Sequence, residues 1–429
     1  MDIRPLEELQ PEGAKALVHR NREAFRAVLP QVQEIVAQVR AEGDQALRRF
    51  TRAFDGVDLS SFEVTPEETR RAYAAVDEGL LQALKEALAH IERYHALQRP
   101  EERFVPLAPG LEAGWVVRPI ERVGCYAPGG RAVYPSSVLM TGVPARLAGC
   151  PVRILCVPPG PDGSVPAPTL VAADLAGFQR VFKVGGAQAI AAMAYGTETI
   201  PKVDKLFGAG NLWVTAAKVW VSQDVAVDLP AGPSEVLILA DETAPPRWVA
   251  ADLLAQAEHG PDSPCLLVTT SLALARAVAQ EVQVLSQSIP TGTQALATLE
   301  RNGALLVARD LDAAVDFANR FAPEHLQIMV REPESLLPKV AHAGSIFLGA
   351  HSPVAAGDYA TGPNHVLPTA GAARSFAGLS LWAFVRIVPV QRLTSQGLAA
   401  LEEAILRLAQ AEGLPAHAQA VQVRLEEGR

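Results

Sequence analysis

The feature that most narrows the fold is an alternation of short β-type runs with Ala-rich helical stretches, which begins near Gly114 and persists through most of the remaining chain. Strands are expected near residues 115–119, 122–126, 152–157, 180–183 and 205–207, with helices near 137–147, 169–176, 187–195 and 212–221. A helix between two strands carries the chain back to the same end of the sheet, so the strands must pair in parallel. A second run of the same kind follows: strand 235–240, a helix ending at His259, strand 265–269, helix 272–285, strand 304–307, helix 311–321, then strands 326–330 and 345–348. The expected fold class is α/β, with two doubly wound, incomplete Rossmann-like domains. Residues 11–99 carry Ala, Leu, Glu, Arg and Gln at three- and four-residue spacing, broken at Asp55-Gly56-Val57-Asp58, and a further helix is expected at 398–411. The resulting division is a helical region 1–110, α/β domains 111–232 and 233–385, and a helical tail 386–429.

Charge and composition exclude several functions. The formal charge is −9 and no basic block appears, which argues against a nucleic-acid partner. The opening Met1-Asp2-Ile3-Arg4-Pro5-Leu6-Glu7-Glu8 lacks the apolar segment of a secretory signal, and no run reaches membrane-spanning length. The expectation is a cytoplasmic protein with no membrane contact. Cys125, Cys150, Cys156 and Cys265 show neither metal nor disulfide spacing, and structural thiols are expected, with Cys125 beside a Gly-rich turn the one candidate for chemistry. His19, His90 and His95 are expected on solvated or amphipathic helix faces.

Doubly wound sheets bind ligands where strand ends lead into helix N-termini. Three loops there are Gly-rich: Tyr126-Ala127-Pro128-Gly129-Gly130, Gly185-Gly186-Ala187-Gln188 and Gly208-Ala209-Gly210-Asn211. No G-x-G-x-x-G is present, so these turns fit either a non-standard nucleotide grip or ordinary connections. In Leu253-Leu254-Ala255-Gln256-Ala257-Glu258-His259-Gly260-Pro261, the apolar stripe Val249, Leu253 and Ala257 faces inward, while Gln256 and His259 share another face at the helix end. They read either as two ligands on a rigid terminus or as a solvated amide and a histidine answering the helix dipole.

Further polar groups lie in loops or at element ends: Glu324, His325, Asp358, His365, Glu412 and His417. Ser234 sits at the turn Leu229-Pro230-Ala231-Gly232-Pro233-Ser234 between the two α/β runs. No compact metal motif is present, but loops converging at one end of an α/β scaffold can assemble a Zn²⁺-type site from imidazoles, a carboxylate and an amide. Glu324-His325 suits an acid/base pair only if the segment turns, since extended backbone points neighbours to opposite faces; a surface Glu with a capping His fits equally well.

The segments Val123-Gly124-Cys125-Tyr126-Ala127-Pro128-Gly129-Gly130, Lys183-Val184-Gly185-Gly186-Ala187-Gln188-Ala189-Ile190, Ala231-Gly232-Pro233-Ser234-Glu235-Val236, Ala255-Gln256-Ala257-Glu258-His259, Ala322-Pro323-Glu324-His325-Leu326 and Gly357-Asp358-Tyr359-Ala360-Thr361-Gly362-Pro363-Asn364-His365 together resemble the histidinol dehydrogenase family. The resemblance implies an aldehyde-dehydrogenase-like architecture and oxidation of L-histidinol through L-histidinaldehyde to L-histidine, with two NAD⁺ and a bound zinc. It implies Gln256, His259, Asp358 and His417 as zinc ligands and Tyr126, Gln188 and Asn211 as NAD contacts. Ser234, Gln256, His259, His325, Asp358, His365, Glu412 and His417 would surround the substrate. His325 would be the general base and Glu324 the group that activates water. The resemblance also implies a homodimer in which the tail brings Glu412 and His417 to the partner's site. Two rivals remain: an aldehyde dehydrogenase with a cysteine nucleophile, and a non-catalytic protein that binds nucleotide or metal.

Overall fold

The structure, a computed structural model, describes residues 2–9, 22–130, 132–229 and 232–426. His19, and Pro230 and Ala231 of the turn before Ser234, lie outside the described residues. In chain order the elements are β1 (Ile3–Pro5), α1 (Arg22–Glu42), α2 (Asp44–Phe54), α3 (Pro66–Ala75), α4 (Glu78–Ala96), β2 (Arg103–Ala108) and β3 (Leu111–Pro119). Next come β4 (Arg122–Tyr126), α5 (Pro135–Leu147), β5 (Val152–Val157), α6 (Ala167–Ala176), β6 (Arg180–Lys183), α7 (Gly186–Tyr195), β7 (Lys205–Phe207), α8 (Leu212–Val221) and β8 (Ala226–Val227). The second run is β9 (Val236–Ala240), α9 (Pro246–Ala257), β10 (Cys265–Thr269), α10 (Leu272–Ser286), α11 (Gly292–Asn302), β11 (Gly303–Val307), α12 (Leu311–Phe321), β12 (His325–Met329), β13 (Ser345–Leu348) and α13 (Val354–Tyr359). The chain ends with β14 (Val385–Leu393), α14 (Ser395–Ala411) and α15 (Pro415–Glu426).

These elements divide into two units, Met1–Gln98 with Glu121–Phe384, and Arg99–Ile120 with Val385–Arg429. The first holds two parallel sheets, ordered β6-β5-β4-β7-β8 and β1-β11-β10-β9-β12-β13. Both were expected as parallel, and the reason is visible in their burial: β9 and β10 are buried at every position, as strands covered by helices on both faces must be. In each sheet the order reverses beside the first strand of the run, at β4/β7 and at β9/β12. The tightest approach in the first sheet is at Gly208, where φ is +109° and a Cβ would collide with the Tyr126 carbonyl. Only glycine fits there.

The second unit corrects one strand assignment. Residues 115–119 belong to β3, which pairs antiparallel with β2 and with β14 rather than joining the parallel sheet. The tail is accordingly not wholly helical, since β14 precedes α14 and α15. Alternation of exposed and half-buried residues identifies a strand without naming its partner. No helix among the described residues is long and apolar enough to cross a membrane.

Candidate active site

The three Gly-rich loops converge on one cavity of about 670 Å³ in the first unit. Tyr126, Gly129 and Gly130 line it after β4, Val157 and Pro158 after β5, Gly186 and Gln188 after β6, and Asn211 after β7. Thus Tyr126, Gln188 and Asn211 are brought together at the carboxyl edge of the sheet, against the N-termini of α7 and α8. The Gly186 N–H donates to the Tyr126 hydroxyl at 3.1 Å. Asn211 caps α8, its Oδ1 accepting from the N–H groups of Trp213 and Val214 at 3.0 and 3.2 Å. A buried ion pair stiffens the last loop: Lys218 pairs with Asp228 and donates to the Gly208 carbonyl, while Asp228 accepts from the Gly208 N–H. Neither residue stood out in the sequence, because a lysine in an amphipathic helix pattern gives no sign that it points inward.

A second constellation forms at the amino edge of the other sheet. β9 and β12 are neighbours in register, Val236 beside His325, so the residues just before them meet. Glu324 Oε2 accepts from the Glu235 N–H at 2.9 Å, and Glu235 Oε1 accepts from the Glu324 N–H at 3.2 Å. The segment turns at Ala322, whose φ is +50°, just before Glu324-His325. Glu324 Oε2 lies 3.5 Å from His325 Nδ1, so the two side chains share one site. His325 Nδ1 is 2.9 Å from the Glu235 carbonyl. A carbonyl only accepts, so Nδ1 carries the proton and Nε2 keeps its lone pair. That Nε2 is buried and has no hydrogen-bond partner. Burial pushes the Glu324 carboxyl up to about 7, against the opposing pull of His325.

α9 ends at Ala257, with Glu258 as its cap, so His259 lies just beyond the helix rather than in its last turn. The rigid end still presents both groups. Gln256 is buried, donates from Nε2 to Ser234 Oγ at 3.0 Å, and leaves Oε1 buried without a partner. The His259 side chain is 37 % open, and desolvation of its partly buried ring holds its pKa below the ordinary value, which favours neutral imidazole. Its Nε2 stands 3.9 Å from Asp358 Oδ2, and Asp358 Oδ1 stands 3.9 Å from His325 Nε2.

His325, Asp358 and His365 line a cavity of about 260 Å³ with Phe347 and Asn364. His365 Nδ1 donates to the Asp358 carbonyl at 2.7 Å, and its Nε2 accepts from the Ser137 hydroxyl at 3.0 Å. Burial lowers its pKa. Ser137 lies in α5, which begins just after the loop that lines the larger cavity. The segment from Asp358 at the end of α13 to His365 is braced by α4: His90 Nδ1 bonds the Ala360 carbonyl at 2.7 Å, and His95 meets Asn364 at 3.2 Å. This corrects the expectation for His95, which is fully buried. Helical periodicity identified its face but not the loop packed on it.

Glu412 and His417 belong to the second unit, where Glu412 caps α14, His417 lies in α15, and both are exposed. Cys125, Cys150, Cys156 and Cys265 are all buried, and burial pushes the thiols of Cys125, Cys156 and Cys265 well up. None is poised as a nucleophile, which removes the basis for a cysteine-dependent mechanism.

Among the described residues no three His, Cys, Asp or Glu side chains gather closely enough to enclose a metal ion. The donor set nevertheless suits an open site. His259 and Asp358 are spaced so that one ion about 2.0–2.2 Å from each could be shared, and Gln256, three residues before His259, has its Oε1 buried without a partner.

Comparison with known proteins accords with this geometry. The histidinol dehydrogenase family model matches residues 18–425. A histidinol dehydrogenase of Methanothermobacter thermautotrophicus is 51% identical over 411 residues, 96% of each chain. One from Methanocaldococcus jannaschii is 45% identical over 427 residues, 99% of each chain. The crystal structure of histidinol dehydrogenase from Elizabethkingia anophelis matches with a TM-score of 0.94 at 40% identity, covering 99% of this chain and 98% of that one. Since the matched stretch includes every segment that builds the two cavities, the chain belongs to the histidinol dehydrogenase family.

Proposed function

We propose that the protein oxidises L-histidinol through L-histidinaldehyde to L-histidine, using NAD⁺ twice and a zinc ion held by Gln256, His259, Asp358 and His417. The observation that carries this reading is the bare, buried His325 Nε2, fixed in the basic tautomer beside Glu324 and facing Asp358. Bound NAD⁺ supplies the hydride acceptor for each oxidation, and bound zinc supplies an orienting template for the substrate's imidazole and amino nitrogens. Tyr126, Gln188 and Asn211 would contact the dinucleotide, whose phosphates suit the N-termini of α7 and α8.

His325 Nε2 takes the hydroxyl proton as the carbinol carbon loses hydride, leaving the aldehyde. The resulting imidazolium is stabilised by Asp358 at 3.9 Å and Glu324 at 3.5 Å. Glu324, with its pKa near 7, then takes a proton from water as the oxygen adds to the aldehyde carbon, while the His325 imidazolium returns its proton to the former carbonyl oxygen, giving the hydrate and a neutral His325. His325 accepts the second hydroxyl proton when the hydrate loses hydride and becomes the acid. Ser234 and His365 border the substrate, while residues 111–232 serve NAD and 233–385 serve zinc and substrate.

The reading extends to a homodimer in which the tail, 386–429, brings Glu412 and His417 to the partner's site. Two observations support it. The first unit supplies three of the four proposed ligands. The second unit exposes Phe104, Leu107, Trp115, Ile387, Leu408 and Leu414, apolar area that association would cover. NADH absorbance with histidinol, before and after chelation, tests the central claim. Formation of two NADH per histidinol that stops on chelation is expected; no NADH from the metal-loaded protein would refute it and favour a non-catalytic binder.

A further inference from the structure

The larger cavity has a lining that strand-and-loop reasoning does not anticipate: Ile35, Phe54 and Asp55 from the N-terminal helices border it together with the Gly-rich turns. Asp55 closes α2, where its N–H bonds the Thr51 carbonyl and Gly56 follows with φ +73°. The residue is partly buried, and its Oδ2 is buried with no hydrogen-bond partner. Burial pushes the carboxyl up to about 6, so it is largely ionised at neutral pH. A carboxylate left unsatisfied against a cavity costs free energy until a donor arrives.

The rest of the lining defines that donor. Among the described lining residues there is no Lys, Arg or His, and Asp55 is the one carboxylate. In the usual dinucleotide fold an acidic residue after the second strand receives the ribose hydroxyls. Here that stretch is Val157-Pro158-Pro159-Gly160-Pro161, which offers no such side chain. Asp162, next along, is committed to its own turn, bonding the Ser164 N–H and hydroxyl. Asp55 supplies the missing chemistry from the N-terminal helical region.

Building on the reading of this cavity as the NAD site, we propose that Asp55 selects NAD over its 2′-phosphorylated form, accepting hydrogen bonds from the adenosine ribose hydroxyls where a 2′-phosphate would meet a like charge and no described cation. The selectivity therefore comes from the helical region and not from the α/β domain that carries the glycine turns.

The experiment compares NAD and NADP on wild type, Asp55→Ala and the near-isosteric Asp55→Asn. Affinity is read by quenching of Trp213, which also lines the cavity, and catalysis by kcat/KM with histidinol; circular dichroism checks the fold. Loss of hydrogen bonds to a charged group predicts that Asp55→Ala weakens NAD binding about 10- to 100-fold. NADP binding should hold or improve in both variants, so the NAD/NADP ratio falls at least about tenfold. Wild type that binds neither dinucleotide overturns the cofactor reading together with this inference. A wild-type preference for NAD that survives in Asp55→Asn, the variant least able to disturb folding, overturns the inference alone.

Discussion

Replacing Glu324 with Gln should move stability and activity in opposite directions, and the structure sets the size of each. The carboxyl is buried, accepts from the Glu235 N–H and lies beside His325, yet burial outweighs both and raises its pKa from 4.5 to about 7. At about 1.36 kcal/mol per pKa unit this is roughly 3 kcal/mol of preference for the protonated form in the folded state. The sign follows from the raised value: the favourable contribution is complete below about pH 4.5, declines as pH rises through 7, and is gone above it. An amide cannot ionise, so Glu324→Gln should gain up to about 3 kcal/mol relative to wild type between pH 4.5 and pH 9, measured by urea unfolding of the metal-free protein. Activity should fall selectively. Oxidation of histidinaldehyde requires the added water and should lose about 10²- to 10⁴-fold, whereas the alcohol step needs no water and should be largely kept. NADH formation from the two substrates supplied separately is the assay. Equal loss in both halves would refute the assigned role, and a stability difference that does not change with pH would refute the electrostatic argument.

His325→Ala should lower turnover about 10²- to 10⁴-fold with metal content retained, measured by steady-state NADH formation and metal analysis; near-normal turnover would remove His325 as the base. His259→Ala or Asp358→Ala should release zinc and abolish activity while circular dichroism stays native, because an open substrate site does not hold the chain together; outright unfolding would indicate a structural ion instead. Mixing inactive His325→Ala and His417→Ala chains should restore activity toward one site per dimer if tails cross between subunits. No recovery, with subunit exchange verified by mass, would mean each tail serves its own chain.

What the sequence made legible follows from how each signal is encoded. The strands β4 to β7 and β9 to β13 are written locally, as β-type runs between helical ones, and the Gly-rich turns between them mark places where backbone must approach something closely. Those turns carry Tyr126, Gln188 and Asn211, the residues that the family resemblance implied as NAD contacts, and all three line one cavity. The pairing of β3 with β14 was not legible, because its partner lies at the other end of the chain and period-two patterning is the same in any sheet. Glu235 was missed for another reason. It is fully buried and its carboxylate clamps the N–H groups of Glu324 and Ala370, but in the sequence it is an ordinary charge at a strand start. Asp55 was placed at a helix boundary, which is correct locally and silent about the cavity it meets, and His95 was placed on a solvated or amphipathic face although it is fully buried against the loop carrying Asn364.

The placement of the two cavities at opposite kinds of sheet edge has a common electrostatic reason. The larger one lies at carboxyl strand ends, beside the N-termini of α7 and α8, where the positive ends of the helix dipoles suit an anionic dinucleotide. The acid/base constellation lies at amino strand ends, where α9 finishes and presents the negative end of its dipole next to Gln256 and His259. Such an end favours a cation. The dipole contributes only about 0.3–1 kcal/mol, so the direct donors decide what binds; the dipole fixes which edge can host them without opposition. A cation at the carboxyl edge would face several helix N-termini, and a pyrophosphate at the amino edge would face α9, Glu324 and Asp358 together. Bridging the two edges therefore requires a connection that runs between sheets, and α5 provides it: the loop before it lines the larger cavity, and its Ser137 hydroxyl holds His365 in the smaller one.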